Sequence, residues 1–191
     1  LMMGLKNTVF FDNVRVPASY LVGGENNGWR VANTHLELEH GGDGRVGVDP
    51  LVEGVVEYCQ QTRVDGKPLI EDTSVRDIIA DMMIELHTVS LFARRNFWHR
   101  YAREPHPYGG AQFRYHQRMV RLRNGERLQQ IMGYDALVPN LTVNEVVDFE
   151  YVVRSGPGQL HGGGTLDTDR LVFARRVGLG RPTKATVPTT I

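Results

Sequence analysis

One run constrains the fold more than any other. Val75, Ile79, Met82, Leu86, Val89 and Ala93 recur in alternating steps of four and three, with charges mostly elsewhere, the pattern of a helix that buries a single stripe. A helix from about Thr73 to Arg103, closed by Pro105 and Pro107, is roughly 30 residues and ~45 Å long. Helices average about 11–12 residues, so one this long predicts a bundle rather than an α/β layer.

Neighbouring segments supply partners. Gly28-Trp29 opens a helical stretch with Trp29, Ala32 and Leu36 on one side, and four Gly between Gly41 and Gly47 break it. Asp49-Pro50 restarts it, with Asp as N-cap and Pro at the first helical position. Leu51, Val55 and Cys59, with Val52 and Val56, then form a buried stripe ending near Thr62, and Asp65-Gly66-Lys67-Pro68 is a turn. A further helix is predicted over about 111–133 on Phe113, Val120, Leu128 and Ile131, with Asn124-Gly125 in its middle. Residues 134–163 are less regular, and about 165–178 reads as a last helix. Residues 4–24 read as strand and turn, with Thr8-Val9-Phe10-Phe11, a turn at Asp12-Asn13, then Val14-Arg15-Val16 before Pro17. The predicted class is mainly α: an antiparallel four-helix bundle preceded by a short β segment.

Composition bounds the function. Twenty-two Lys+Arg against 22 Asp+Glu leave a formal charge of zero, so no whole-molecule attraction to nucleic acid or an anionic membrane is expected. No apolar run approaches the ~20 residues of a membrane span. The lone Cys59 predicts a reducing, cytoplasmic compartment. Leu1-Met2-Met3-Gly4 lacks the regions of a signal peptide, and opening on Leu reads as a partial chain. No nucleophile elbow or Walker pattern occurs, and seven His, with His35 and His40 the one close pair, fit no metal-ligand spacing. No metal is expected. Arg114, Arg118, Arg121, Arg123 and Arg127 read as a solvated or subunit-contacting basic face. Gly162-Gly163-Gly164-Thr165 reads as a loop, with a phosphate cradle as the alternative. Glu37 and Glu39, two apart, point to different sides of their helix.

The string Val9-Phe10-Phe11-Asp12-Asn13-Val14-Arg15-Val16-Pro17, followed by Leu21-Val22-Gly23 and Glu25-Asn26-Asn27-Gly28-Trp29, resembles the acyl-CoA dehydrogenase family where its β-domain meets its C-terminal helical domain. Gly66-Lys67-Pro68-Leu69, Val75 to Met82, and Gly164-Thr165-Leu166-Asp167-Thr168-Asp169-Arg170 follow in the family's order. The resemblance implies residues 1–25 as the end of a middle β-domain and 26–191 as the C-terminal helical domain. It implies FAD as cofactor, an acyl-CoA substrate oxidised to the 2,3-enoyl-CoA, electron-transfer flavoprotein or another electron acceptor, and a homo- or hetero-oligomer.

The family's base lies in one of two places. At one, before Gly-Thr, this chain has Gly163, which cannot act; at the other it has Glu39, the implied catalytic base, which must sit out of bulk solvent to work. Glu37 and His40 are the implied substrate contacts, His40 standing where the family often has Arg. The implied flavin contacts are Arg63, Gln129, Gly133, Thr165 and Asp167. Arg63 stands one position from the family's Arg, and Gln129 and Gly133 are what remain of its Gln-x-x-Gly-Gly-x-Gly motif. Two alternatives share the fold: a non-catalytic partner subunit of a heteromeric dehydrogenase, and an acyl-CoA oxidase or flavin monooxygenase.

Overall fold

The computed structural model describes residues 7–39, 46–141 and 147–179. Its helices are α1 (Gly28–Glu39), α2 (Pro50–Gln61), α3 (Thr73–Tyr101), α4 (Gly109–Met132), α5 (Phe149–Ser155) and α6 (Leu166–Arg176). Two short strands, β1 (Arg63–Val64) and β2 (Lys67–Pro68), pair antiparallel around the Asp65-Gly66 turn. The mainly α class holds.

The caps follow the sequence. Asp49 accepts from the Leu51 amide with Pro50 at the first helical position, and Asp72 accepts from Ser74 and Val75 at the start of α3. α3 and α4 run antiparallel, because their paired residues climb along one helix as they descend along the other. Glu85 meets Arg123 and Arg127, Phe92 meets His116, and Asn96 donates to the Gly109 carbonyl. α4 is the central rod, with α3, α5 and α6 all packed against it.

The bundle has two unlike ends. Where α2, the first half of α3, the end of α4 and α5 converge, Val55, Cys59, Met82, Leu128 and Phe149 are fully buried. Burial there pushes the Cys59 thiol up to about 11. It also lifts Tyr58 to about 12, helped by a 2.7 Å hydrogen bond to Asp135. At the other end, α4 buries Arg114 and Arg118 alongside Ala111 and Phe113.

Two features differ from the sequence reading, and a third concerns Gly125. Residues 7–24 form no ladder: Phe10 is 86% exposed and Phe11 nearly as much. A strand is held by bonds to a neighbour, and none of the described residues provides one. α5 arises within the stretch read as irregular, capped by Asp148, which accepts from Tyr151. Gly125 does not interrupt α4 but lets α5 approach it closely, since a Cβ there would lie 3.4 Å from the Val153 Cα.

Candidate functional site

The polar end centres on Asp169 of α6, held between two guanidiniums of α4. Arg118 Nη1 lies 2.8 Å from Asp169 Oδ2, and Arg114 Nε lies 3.6 Å from Oδ1. The four-residue step from 114 to 118 places both arginines on one face of α4. Both are buried, Arg118 to 6% exposure beside Asp169 at 7%. Burial pulls the Arg114 pKa below the ordinary guanidinium range; Asp169 and Glu39 oppose that pull and Arg118 adds to it.

The same arginines take three consecutive carbonyls of the glycine loop. Arg114 Nη2 donates to Gly163 O at 2.5 Å, Arg118 Nη1 donates to Gly164 O at 2.7 Å, and Arg118 Nη2 donates to Gly162 O. The loop runs straight into α6, whose N-cap Thr165 accepts from the Thr168 amide at 3.2 Å.

The sequence reading of these arginines is therefore corrected. The row is not a solvated face: Arg114 and Arg118 are buried against Asp169, and Arg123 and Arg127 pair with Glu85. Glu85 is pushed up by burial, but hydrogen bonds from Arg123 and Arg127 outweigh that and hold it below the usual carboxylate range. The partners lie 38 to 55 residues away in sequence, so no local pattern announces them.

Glu39 ends α1. Its carboxylate is 62% exposed, 3.9 Å from His35 Nε2. The dry surroundings expected for a base are not built by the described residues. Glu37 lies on α1, where only its backbone is described, and His40 lies outside the described residues.

The expected flavin contacts fall into two groups. Thr165 and Asp167 stand at the start of α6 beside the arginine cluster; Asp167 is exposed, 3.6 Å from Arg170. Gln129 and Gly133 lie eleven and fifteen residues beyond Arg118 toward the far end of α4, about 16 and 22 Å along the axis. There they line a shallow depression of about 200 Å³ with Tyr134 and Leu137. Gly133 closes α4 at φ +57°, a conformation that favours Gly. Gln129 and its neighbour Gln130 both face solvent. Arg63 follows α2, its Nη1 turned back onto the Gln60 carbonyl at 3.1 Å. Among the described residues no group of His, Cys, Asp and Glu could hold a metal, and no helix is long and apolar enough to cross a membrane.

Comparison with known proteins fits this arrangement. The family description "Acyl-CoA dehydrogenase, C-terminal domain" matches residues 26–178. The chain belongs to the acyl-CoA dehydrogenase family. A glutaryl-CoA dehydrogenase of Desulfococcus multivorans is 30% identical over 90 residues, which is 44% of this chain and 23% of that protein. The solved glutaryl-coenzyme A dehydrogenase in complex with glutaryl-CoA superposes with a TM-score of 0.74 at 19% identity, over 90% of this chain and 43% of that one. An FAD-dependent dehydrogenase superposes with a TM-score of 0.73 at 18% identity, over 90% of this chain and 45% of that one. The chain thus spans less than half the length of these relatives.

Proposed function

We propose that this chain is the C-terminal helical part of an FAD-dependent acyl-CoA dehydrogenase that oxidises an acyl-CoA thioester to the 2,3-enoyl-CoA, with Glu39 as the base. One observation carries the reading. Within a domain of this family, one of the two positions from which the resemblance draws the proton acceptor is Gly163, whose carbonyl accepts from Arg114, and the other is Glu39 at the end of α1. With Gly at 163 the acceptor falls to Glu39.

The chemistry divides simply. The Glu39 carboxylate takes the proton from the carbon next to the thioester, and that carbon's electron pair shifts toward the thioester oxygen. FAD, when bound, supplies the acceptor for the hydride leaving the β-carbon, which no side chain could provide. Proton and hydride together leave the 2,3 double bond.

The fit to FAD is that of partial walls. The depression beside Gln129 and Gly133 is smaller than the ~300–1,000 Å³ of ordinary ligand pockets, while Thr165 and Asp167 are open to solvent. The separation of about 16–22 Å along α4 suits contacts to two flavins, Thr165 and Asp167 to this subunit's own, and Arg63, Gln129 and Gly133 to a neighbouring subunit's. Glu39 would be sheltered by the remainder of a chain as long as the relatives'. The boundary at 25/26, the substrate contacts of Glu37 and His40, oligomerisation and electron-transfer flavoprotein as acceptor belong to the same proposal.

The reading is tested by adding glutaryl-, butyryl- or octanoyl-CoA anaerobically to the FAD-loaded protein. Loss of flavin absorbance with formation of the matching enoyl-CoA is expected, and an unchanged spectrum with all three contradicts it. The non-catalytic partner subunit is favoured by one observation, the guanidinium of Arg63 folded onto its own helix. It forecasts that unchanged spectrum.

A further inference from the structure

His35 stands one turn before Glu39, and the four-residue step places both on one face of α1. Its Nε2 lies 3.9 Å from Glu39 Oε2, an ion-pair distance longer than a hydrogen bond. Both side chains are exposed, His35 at 77%. Exposed side chains change rotamer within nanoseconds, and one such step brings the ring nitrogen within reach of the carboxylate. Contacts between catalytic groups are commonly long before substrate arrives.

A base that works away from bulk solvent must still lose its proton before it can act again. Each abstraction leaves Glu39 a neutral carboxylic acid, and departure of the hydride does not remove that proton. Water is the final acceptor, so the carboxyl needs a go-between that meets both the base and the solvent. Imidazole suits this, because one ring nitrogen can take a proton while the other gives one up. An ordinary imidazole also binds a proton more tightly than an ordinary carboxylate. The Glu39 charge acts on Arg114 of α4 as well, but a guanidinium keeps its protons in a protein and cannot relay them.

We propose that His35 is the proton outlet of Glu39. This rests on Glu39 as the base. The C2–H bond breaks as an O–H bond forms on Glu39, and the electron pair stays with the substrate. That O–H then breaks as an N–H forms at His35 Nε2, and the imidazolium gives a proton to water. The relay itself oxidises nothing. His35 touches neither substrate nor flavin and acts only through Glu39.

The test uses the FAD-loaded full-length protein in D₂O. Its probe is the 3-thia analogue of whichever of glutaryl-, butyryl- and octanoyl-CoA reduces the flavin fastest. Sulfur at position 3 carries no hydrogen, so C2 exchanges its proton without reducing the flavin. The rate of deuterium wash-in at C2 is divided by the rate of flavin reduction with the parent thioester. In His35→Gln this ratio is expected to fall about tenfold or more, since a positioned acid–base group contributes about 10²–10⁴ to proton transfer. A merely structural role would slow both rates together, and an unchanged ratio overturns the proposal. An exposed pair at this spacing contributes little to the fold, so His35→Gln should keep its flavin. Before any thioester is added, the ¹⁵N resonance of His35 Nε2 should move in Glu39→Gln, and a resonance that stays put overturns the pairing and the relay with it. The same Glu39→Gln separates the two ideas. Exchange retained there removes the base assignment and the relay together, whereas exchange lost there beside an unchanged ratio in His35→Gln removes only the relay.

Discussion

Arg114 Nη2 lies 2.5 Å from the carbonyl oxygen of Gly163, and a Cβ on Gly163 would begin 3.3 Å from that same nitrogen. The space from which the family's second kind of base would project is occupied by a guanidinium. A side chain at 163 would start beside a guanidinium rather than in open space.

The double variant Glu39→Gln/Gly163→Glu should accordingly stay inactive rather than regain a base at the second position. Gly163 sits at φ +66°, where an L residue is disfavoured by about 1–2 kcal/mol. A carboxylate placed beside Arg114 would also be held ionised and be a weaker proton acceptor. Recovery of even a few per cent of the parent's C2 proton exchange in the double variant would show the position to be still usable.

Alone, the 191 residues should purify colourless, and the FAD-loaded protein of the other tests is the full-length one. The described surface near Gln129 and Gly133 offers only a shallow depression, and Thr165 and Asp167 lie open. The check is an absorbance spectrum after incubation with excess FAD and desalting. Stoichiometric yellow protein would mean that these residues suffice to hold the flavin.

Stability should decline as pH falls below about 6.5. Burial lowers the pKa of His106, with Arg95 and His99 pushing the same way, and lowers that of His116, with Arg123 adding and Glu85 opposing. A histidine whose folded pKa lies below its unfolded value of about 6.5 is stabilising above that value. That contribution is lost as pH drops through the folded pKa. Glu85, also depressed, adds a second loss below about pH 4.3. The melting midpoint should fall between pH 7 and 5, and His116→Gln should flatten the slope. A midpoint constant over that range would contradict the assignment.

Gly125→Leu should destabilise the bundle although leucine is the better helix former. Propensity favours leucine by about 0.5–1 kcal/mol. Val153 of α5 already stands 3.4 Å from where a Cβ would be, and overpacking costs about 1–3 kcal/mol. A urea midpoint at or above the parent's would show that α5 can move aside freely.

The sequence carries the apolar end of the bundle well and the polar end poorly. Asp49-Pro50 and Asp72 mark the starts of α2 and α3, and the stripe from Val75 to Met82 is buried as its spacing requires. Those are local signals, readable at helical period. α5 is only seven residues, too short for a period to emerge, although its capping Asp148 was there to be read. The extended reading of residues 9–16 rested on β-branched and aromatic content, which describes a residue's fit to a sheet and cannot supply the neighbouring strand. The arginine cluster failed differently. Charges at 114, 118, 123 and 127 look like solvent-facing chemistry until Asp169 and Glu85 are seen to meet them across the fold. Glu39 emerged from resemblance alone, since nothing in its local pattern sets it apart from Glu37.

The most direct test of the central claim is deuterium exchange at C2 of a bound acyl-CoA thioester in D₂O, with the FAD-loaded parent and Glu39→Gln compared side by side. The parent should wash in deuterium at that carbon and the variant should lose the reaction by orders of magnitude with its flavin still bound. Equal exchange in the two would place the base elsewhere and contradict the account.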